Sequence, residues 1–469
     1  MKRRTKIVCT LGPASATKEA IRALIEAGMN VARINCSHGD WEARRQWVSW
    51  IRELSSDISP VGILADLQGP KFRIGEVSGG ILQIKTNQTL MVGPESSVDI
   101  RVEQPEIIAA LTTGSRLLLG DGNVELRITK AVGKNFEAKA ASAGEVKSHQ
   151  GITLVGKSFP APCITPKDLE DIQEGVKAGV DFFALSYVRG PSDMLELRRI
   201  TSRLDPTVHL VAKIETKEAV DSITEIIKVS DAVMVARGDM GLQVSIEDVP
   251  IIQKRIIERA TTLGKPVITA TQMLESMCHS PRPTRAEATD VANAILDGTD
   301  AVMLSGETAS GDYPVLCVRT MSGIAERAEQ IYDRQRILSR LTDKGGGPPG
   351  HTEAIAHAVN ELSQILKPAA ILTTSTSGQT PRLVSKFRPK QPILCATLNS
   401  RTQAQLALVW GVESVIVGLP KDTDQSAHDA IQAFCRKKRL KVGDTVIFTA
   451  GAPAGRAGNT NLIMIQTVE

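Results

Sequence analysis

The sequence predicts an α/β protein with three parts. These are a (β/α)8 TIM barrel, a small all-β unit inserted in one barrel loop, and a C-terminal open α/β sheet. Three observations predict it. Eight short apolar runs alternate with helix-like segments between Lys6 and Glu307, and near-continuous apolar runs suit parallel strands covered on both faces. Residues 71–164 break that rhythm with short β-like runs and turn residues. After the glycine-rich stretch "KGGGPPG" (Lys344–Gly350) the alternation resumes.

The eight runs are Lys6–Leu11, Asn30–Asn35, Val61–Leu67, Asp181–Val188, Val208–Glu215, Asp231–Asp239, Pro266–Gln272 and Asp300–Glu307. Eight strand–helix repeats are the number that closes a barrel. Between the second and third runs, Trp47, Trp50, Ile51 and Leu54 fall on one helical stripe, as core packing requires. Thr165-Pro166-Lys167-Asp168 reads as an N-cap, a first-turn proline and an acidic third position. A further helix is expected from about Ser245 to a C-cap at Gly264. The barrel would then comprise 1–70 and 165–343, interrupted by a β-barrel-like lid over 71–164 in which Asp121-Gly122 makes a hairpin turn. Residues 344–350 read as a linker. Residues 351–469 form the third unit, from helix "EAIAHAVNELSQIL" through strand "AAILTTS" to "DTVIFTAG" and "NLIMIQT".

Composition narrows the setting. With 469 residues the chain is too long for one core. Apolar content of 42% and charged content of 23% are ordinary for a soluble globular protein. A net charge of +4 without a long basic run gives nucleic-acid binding no support. The seven cysteines include no C-x-x-C pair, which suits a reducing cytosol and argues against structural zinc or a disulfide framework. The basic N-terminus is followed by no long apolar stretch, so neither a signal peptide nor a membrane span is expected. A cytoplasmic protein is expected.

Polar residues gather where the runs end, and barrel enzymes build their sites at the C-terminal ends of strands. The second run ends in Arg33, Asn35 and Ser37, the third in Asp66, the fifth in Lys213 and Glu215. The sixth ends in Arg237 and Asp239, the seventh in Thr269 and Thr271, the eighth in Ser305 and Glu307. Lys213 and Glu215 share one strand face because alternate residues point the same way. Two carboxylates from neighbouring strands, Glu215 and Asp239, suit Mg2+ held together with substrate oxygens and water. The same acids could instead pair with Lys213 and Arg237. The "ARGDMGL" turn offers backbone N–H groups to a phosphate, and Arg33 and Arg237 beside it suggest a phosphorylated substrate. Lys213 could then steady a developing negative oxygen.

The segments "KIVCTLGPAS", "ARINCSHGD", "ADLQGPKFRIG", "VARGDMG", "ITATQMLESM", "PRPTRAEATDVANAILDGTDAVMLSGET" and the tail "NTN" resemble the pyruvate kinase family along essentially the whole chain. The resemblance implies phosphoryl transfer from phosphoenolpyruvate to ADP, giving pyruvate and ATP in the last step of glycolysis. It implies Mg2+ or Mn2+ on Glu215 and Asp239, and phosphate-binding amides at Gly238 and Asp239. Lys213 would stabilise the transferring phosphoryl group and the enolate, and Thr271 would help water protonate the enolate. Arg33 would contact the transferring phosphate, Arg73 the nucleotide phosphates, and Asn35 and His38 would lie near the nucleotide; a loop-capping role for His38 is the alternative. A homotetramer is also implied. A metal-dependent aldolase acting on a pyruvate enolate is the competing reading of the same acid pair, but it would not need the inserted β unit.

Three departures from the family pattern carry expectations of their own. The family's monovalent-cation site matches Asn35, Ser37, Asp66 and Leu67, yet Lys71 stands where potassium-dependent members often carry glutamate. An ammonium is a compact point charge, so Lys71 is expected to replace K+, which would then not be required. Gln150 stands where relatives often have lysine, and so brings no charge to the nucleotide. In the regulatory C-terminal unit, Ser375, Thr376, Ser377, Gly378 and Thr380 lie between a strand and a helix, where the family binds phosphorylated allosteric effectors. Gln379 replaces the basic residue often found there, and an ordinary helix cap is the alternative.

Overall fold

The computed structural model describes residues 3–120, 122–333, 350–451 and 460–469. The predicted turn residue Asp121, most of the predicted linker (344–349) and Asn459 of the "NTN" tail lie outside the described residues. No described helix is long and apolar enough to cross a membrane.

All eight runs form strands of one closed parallel barrel: Lys6–Leu11, Val31–Asn35, Gly62–Asp66, Phe182–Leu185, His209–Ile214, Ala232–Ala236, Val267–Ala270 and Ala301–Leu304. The first strand closes the ring by pairing with the second (Val8 opposite Val31) and the eighth (Lys6 opposite Ala301). Register sets the level of the polar ends: Asp66 stands opposite Asn35 on one side and Ala184 on the other. Ile51 and Leu54 are buried on the predicted stripe, with Trp47 and Trp50 partly buried against the same core. Thr165 and Asp168 form a reciprocal capping box at the start of helix Pro166–Ala178.

Several boundaries differ from expectation; the eighth strand stops at Leu304, and Glu307 lies in the short helix Gly306–Ala309. The sixth strand stops at Ala236, and Arg237–Gln243 is a short helix, so Arg237 and Asp239 are helical residues. The helix expected from Ser245 starts at Val249, after a 3-10 turn over Ile246–Asp248. Pro250 explains that start, because proline is tolerated in a helix's first turn, where its missing N–H costs nothing.

The interval from 71 to 164 holds two sheets. One pairs Ile81–Ile84 with Gly144–Lys147; the other has six strands, with Ile152–Leu154 and Ile100–Arg101 at its edges. They enclose a core of their own, including Leu117, Leu126, Ile128 and Phe159. The C-terminal five-stranded sheet runs in the order Val412–Ile416, Ile393–Thr397, Ala370–Thr374, Thr445–Gly451, Thr460–Thr467, with only the last strand antiparallel.

The C-terminal unit closes the bottom of the barrel. Leu408 packs among the barrel's interior side chains, including Val8, Phe182, Met234 and Met303. Beside it, the buried Arg388 guanidinium donates to Asp300 (2.9 Å) and to the Gly298 carbonyl (2.7 Å), and stacks 4.9 Å from the Trp410 ring. Asp300 also accepts from the backbone N–H of Val267 and Trp410. Removing one partner of a buried pair strands the other. Arg388→Met is therefore expected to cost about 3–5 kcal/mol, read as a lowered denaturant midpoint; an unchanged midpoint contradicts this role for the clamp.

Candidate active site

The ends of the second to sixth strands and the inserted β unit enclose a cleft of about 600 Å3. Arg33, Asn35 and Ser37 line it from the second strand and the loop beyond, and Asp66 and Leu67 from the third. The fifth contributes Lys213 and Glu215, and the short helix after the sixth contributes Asp239. Lys71 and Arg73 enter from the segment leading into the β unit, while Gln150, Gly151 and Thr153 face them from the unit itself.

A web of charge fills the floor. The Lys213 ammonium donates to Ser186 Oγ at 2.7 Å and lies 3.3 Å from Glu215 Oε2 and 3.6 Å from Asp66 Oδ1. Arg33 holds the other Asp66 oxygen at 2.7 Å and donates to Thr10 Oγ1 at 2.9 Å. Burial works against the charge on Lys213, but Asp66, Glu215 and Asp239 outweigh it and lift the lysine above its ordinary range. Burial likewise opposes ionisation of Asp66; Lys213 and Arg33 overcome it and hold Asp66 below the usual carboxylate range. Glu215 goes the other way. Burial, only partly offset by Lys213 and reinforced by Asp239, raises it to about 7.

Glu215 Oε1 accepts the Tyr187 backbone N–H at 2.6 Å. Its Oε2 is buried, as is Asp66 Oδ1, and neither receives a hydrogen bond. A buried carboxylate oxygen whose one cationic neighbour, the Lys213 ammonium at 3.3 Å, makes no hydrogen bond to it, and which lies near a second carboxylate, is a fit for a divalent cation. Among the described residues, no group of three or more His, Cys, Asp or Glu could hold a metal. Two carboxylates with the rest of the shell from substrate and water is the donor set that suits Mg2+.

Not every predicted residue reaches the cleft. The Gly238 N–H points at Thr271 Oγ1 (2.9 Å), so that amide is engaged within the protein, and neither residue is among those lining the cleft. Thr271 and Gln272 both take positive φ (68° and 52°), just past the seventh strand. Such backbone is strained for non-glycine residues and concentrates at functional sites. His38 is exposed and off the lining, its carbonyl accepting from Arg44. Arg237 does not face a substrate. It grips Asp290 (2.6 and 2.8 Å) and the Ala270 and Thr271 carbonyls, so it braces the Thr271 turn. Thr269 bonds Thr299, and Glu307 is buried, accepting the Leu274 and Ser305 N–H groups. Arg73 donates to the His149 carbonyl (2.7 Å), and Gln150 accepts the Lys147 N–H (2.9 Å).

The C-terminal loop is less open than expected. Gly378 adopts φ +74° and donates to Ser375 Oγ (2.9 Å). The Thr376 carbonyl accepts from Thr402 (2.8 Å), and Ser377 and Gly378 face a crevice between this unit and the barrel. The buried Thr380 hydroxyl is committed to Thr460 (2.6 Å), because a neighbouring strand end covers it.

Sequence reading missed Ser186 and Tyr187, which line the cleft and hold Lys213 and Glu215. The signal was there for Ser186: it is a polar residue closing an apolar run, as Asp66 is.

The comparisons agree with this geometry. The family profile for the pyruvate kinase barrel domain matches residues 2–318, and that for the pyruvate kinase alpha/beta domain matches residues 353–466. A pyruvate kinase from Geobacillus stearothermophilus is 43% identical over 100% of this chain and 81% of its own. One from Staphylococcus aureus is 43% identical over 99% of this chain and 80% of its own. The crystal structure of a pyruvate kinase from Cryptosporidium parvum superposes with a TM-score of 0.94 at 33% identity, covering 100% of this chain and 96% of that one. An aldolase reading is not favoured by any of these. The chain belongs to the pyruvate kinase family, whose metal-assisted reaction transfers a phosphoryl group from phosphoenolpyruvate to ADP.

Proposed function

We propose that the cleft on the barrel mouth carries out this phosphoryl transfer with Glu215 and Asp239 holding Mg2+ (or Mn2+). The observation that supports the assignment is the buried Glu215 Oε2, which receives no hydrogen bond, has only the Lys213 ammonium 3.3 Å away as an ion-pair partner among the described residues, and belongs to a residue lining the same cleft as Asp239. When bound, the ion would neutralise charge on the phosphoryl oxygens. Lys213 stays protonated among its carboxylates and is the group that steadies the phosphoryl group in flight and the enolate left behind. Arg33, held in place by Asp66 and Thr10, orients the transferring phosphate. Gly238 and Asp239 offer backbone amides to the substrate, which requires the Gly238 N–H to turn from the Thr271 hydroxyl to the ligand. The freed hydroxyl would then serve water-mediated protonation of the enolate. Arg73 and Asn35 flank the nucleotide, and the β unit spanning 71–164 acts as a lid that excludes water. Lys213→Met is expected to lower kcat by about 10²–10³-fold while Mn2+ and phosphoenolpyruvate still bind. Near-normal turnover contradicts the role given to Lys213.

Lys71 is proposed to supply the charge of a monovalent cation near Asn35, Ser37, Asp66 and Leu67, all of which line the same cleft. Partial burial and neighbouring Arg73 hold Lys71 below the usual lysine range. Turnover is expected to persist when tetramethylammonium replaces all K+; substantial loss of activity contradicts the substitution.

A cytoplasmic homotetramer tuned by a phosphorylated effector is the family-based reading of the remainder. Half-buried Ser377, whose carbonyl lies 3.5 Å from the Arg382 guanidinium, supports an anion site near the start of helix Gln379–Lys386. Ser377→Glu is expected to abolish any shift that AMP or a sugar phosphate causes in the phosphoenolpyruvate saturation curve. A shift that persists in this variant contradicts the site.

A further inference from the structure

Tyr187, two residues past the end of the fourth barrel strand, takes a conformation that an aromatic residue rarely adopts, with φ +60°. That backbone aims its N–H at Glu215 Oε1, 2.6 Å away. The side chain leaves in the direction of the inserted β unit. Its hydroxyl accepts the Phe159 N–H at 2.5 Å, and its ring lies 5.2 Å from that of Phe72. Phe72 and Phe159 themselves pack with ring centroids 4.6 Å apart, tilted by 58°.

The two phenylalanines occupy special places in the chain. Phe72 lies on the segment leading from the third strand into the β unit, and Phe159 on the segment returning to helix Pro166–Ala178. These two connectors are the only covalent links between the barrel and the β unit. The outgoing connector is also stitched to the unit's edge, with the Ile152 N–H on the Phe72 carbonyl (3.1 Å) and the Ile74 N–H on that of Gln150 (3.0 Å). One barrel residue therefore holds both connectors with its side chain and a cleft carboxylate with its backbone. Ser158 is tied to Glu218 through its N–H (2.8 Å) and hydroxyl (2.9 Å), and its side chain also meets the Tyr187 hydroxyl, so the returning connector joins the same cluster there.

We propose that Tyr187 is a positioning residue linking the placement of the β unit to the orientation of the Glu215 carboxylate. Loading of a divalent cation at Glu215 and ordering of the two connectors then favour each other, as reciprocal linkage requires. The inference rests on the reading of Glu215 as a metal ligand. Packing alone would explain an aromatic cluster; it would not explain why the strained residue of that cluster donates to the carboxylate.

The test uses the full chain and Mn2+ alone, without substrate. Free Mn2+ is followed by electron paramagnetic resonance, and the connectors by hydrogen–deuterium exchange. In the wild type, Mn2+ is expected to slow exchange at 72–74 and 158–159. Tyr187→Leu is expected to weaken Mn2+ binding by about 10–100-fold, the usual effect of losing a partner that orients a metal ligand. At saturating Mn2+ it should show no added protection in the connectors. Tyr187→Phe keeps the ring and should restore much of the affinity. Phe72→Leu perturbs the cluster from the connector side and should also weaken Mn2+ binding. Wild-type Mn2+ affinity in Phe72→Leu, or Mn2+-dependent connector protection retained in Tyr187→Leu, overturns the proposal. Glu215→Gln separates the two levels: Mn2+ binding that survives it removes the metal assignment itself, and the coupling with it.

Discussion

One buried cation organises the cleft. Lys213 sits with its side chain only 12% exposed, between Asp66 and Glu215 and against the Ser186 hydroxyl. Alone, any of these charges would be expelled from an apolar barrel or neutralised there. Together Lys213 and Asp66 stay ionised where the protein excludes water, and electrostatic interactions are strongest in that setting. The arrangement follows from strand geometry. Lys213 and Glu215 share a face because they are two residues apart, and Asp66 joins them because register ends the neighbouring strands at one level.

The remaining parts of the chain hold that floor in place. Below, Leu408 fills the barrel and Arg388 locks onto Asp300 at the start of the eighth strand. Above, the β unit meets the helix that carries Asp239, with the Gly156 N–H on the Gln243 carbonyl (3.0 Å) and Leu242 beside Gly122. At the side, Arg237 ties the Thr271 turn to Asp290. A phosphoryl-transfer site depends on positioning and charge more than on reactive groups, so these braces bear directly on function.

Much of this was legible in the sequence, for identifiable reasons. Strands buried on both faces read as apolar runs, and a charge at the end of such a run stands out; Asp66, Lys213 and Glu215 were found that way. What escaped reading was set by distant partners. Arg237 looked like a phosphate ligand because Asp290, which takes its charge, lies 53 positions further on. Thr380 looked free because Thr460, its partner, lies 80 positions away. The left-handed turns at Thr271 and Tyr187 carry no glycine to announce them. His38 lay in a suggestive segment, yet its loop turns the side chain out of the cleft.

The central claim is that Glu215 and Asp239 share a divalent cation while Lys213 stands beside it as an uncoordinated charge. Anomalous diffraction from crystals soaked in Mn2+ and phosphoenolpyruvate tests it most directly. The account predicts a single strong peak within coordination distance of both the Glu215 and Asp239 carboxylates, with phosphoenolpyruvate oxygens completing the shell. A peak bound to Asp66 in place of Glu215, or none in the cleft at saturating Mn2+, would contradict it.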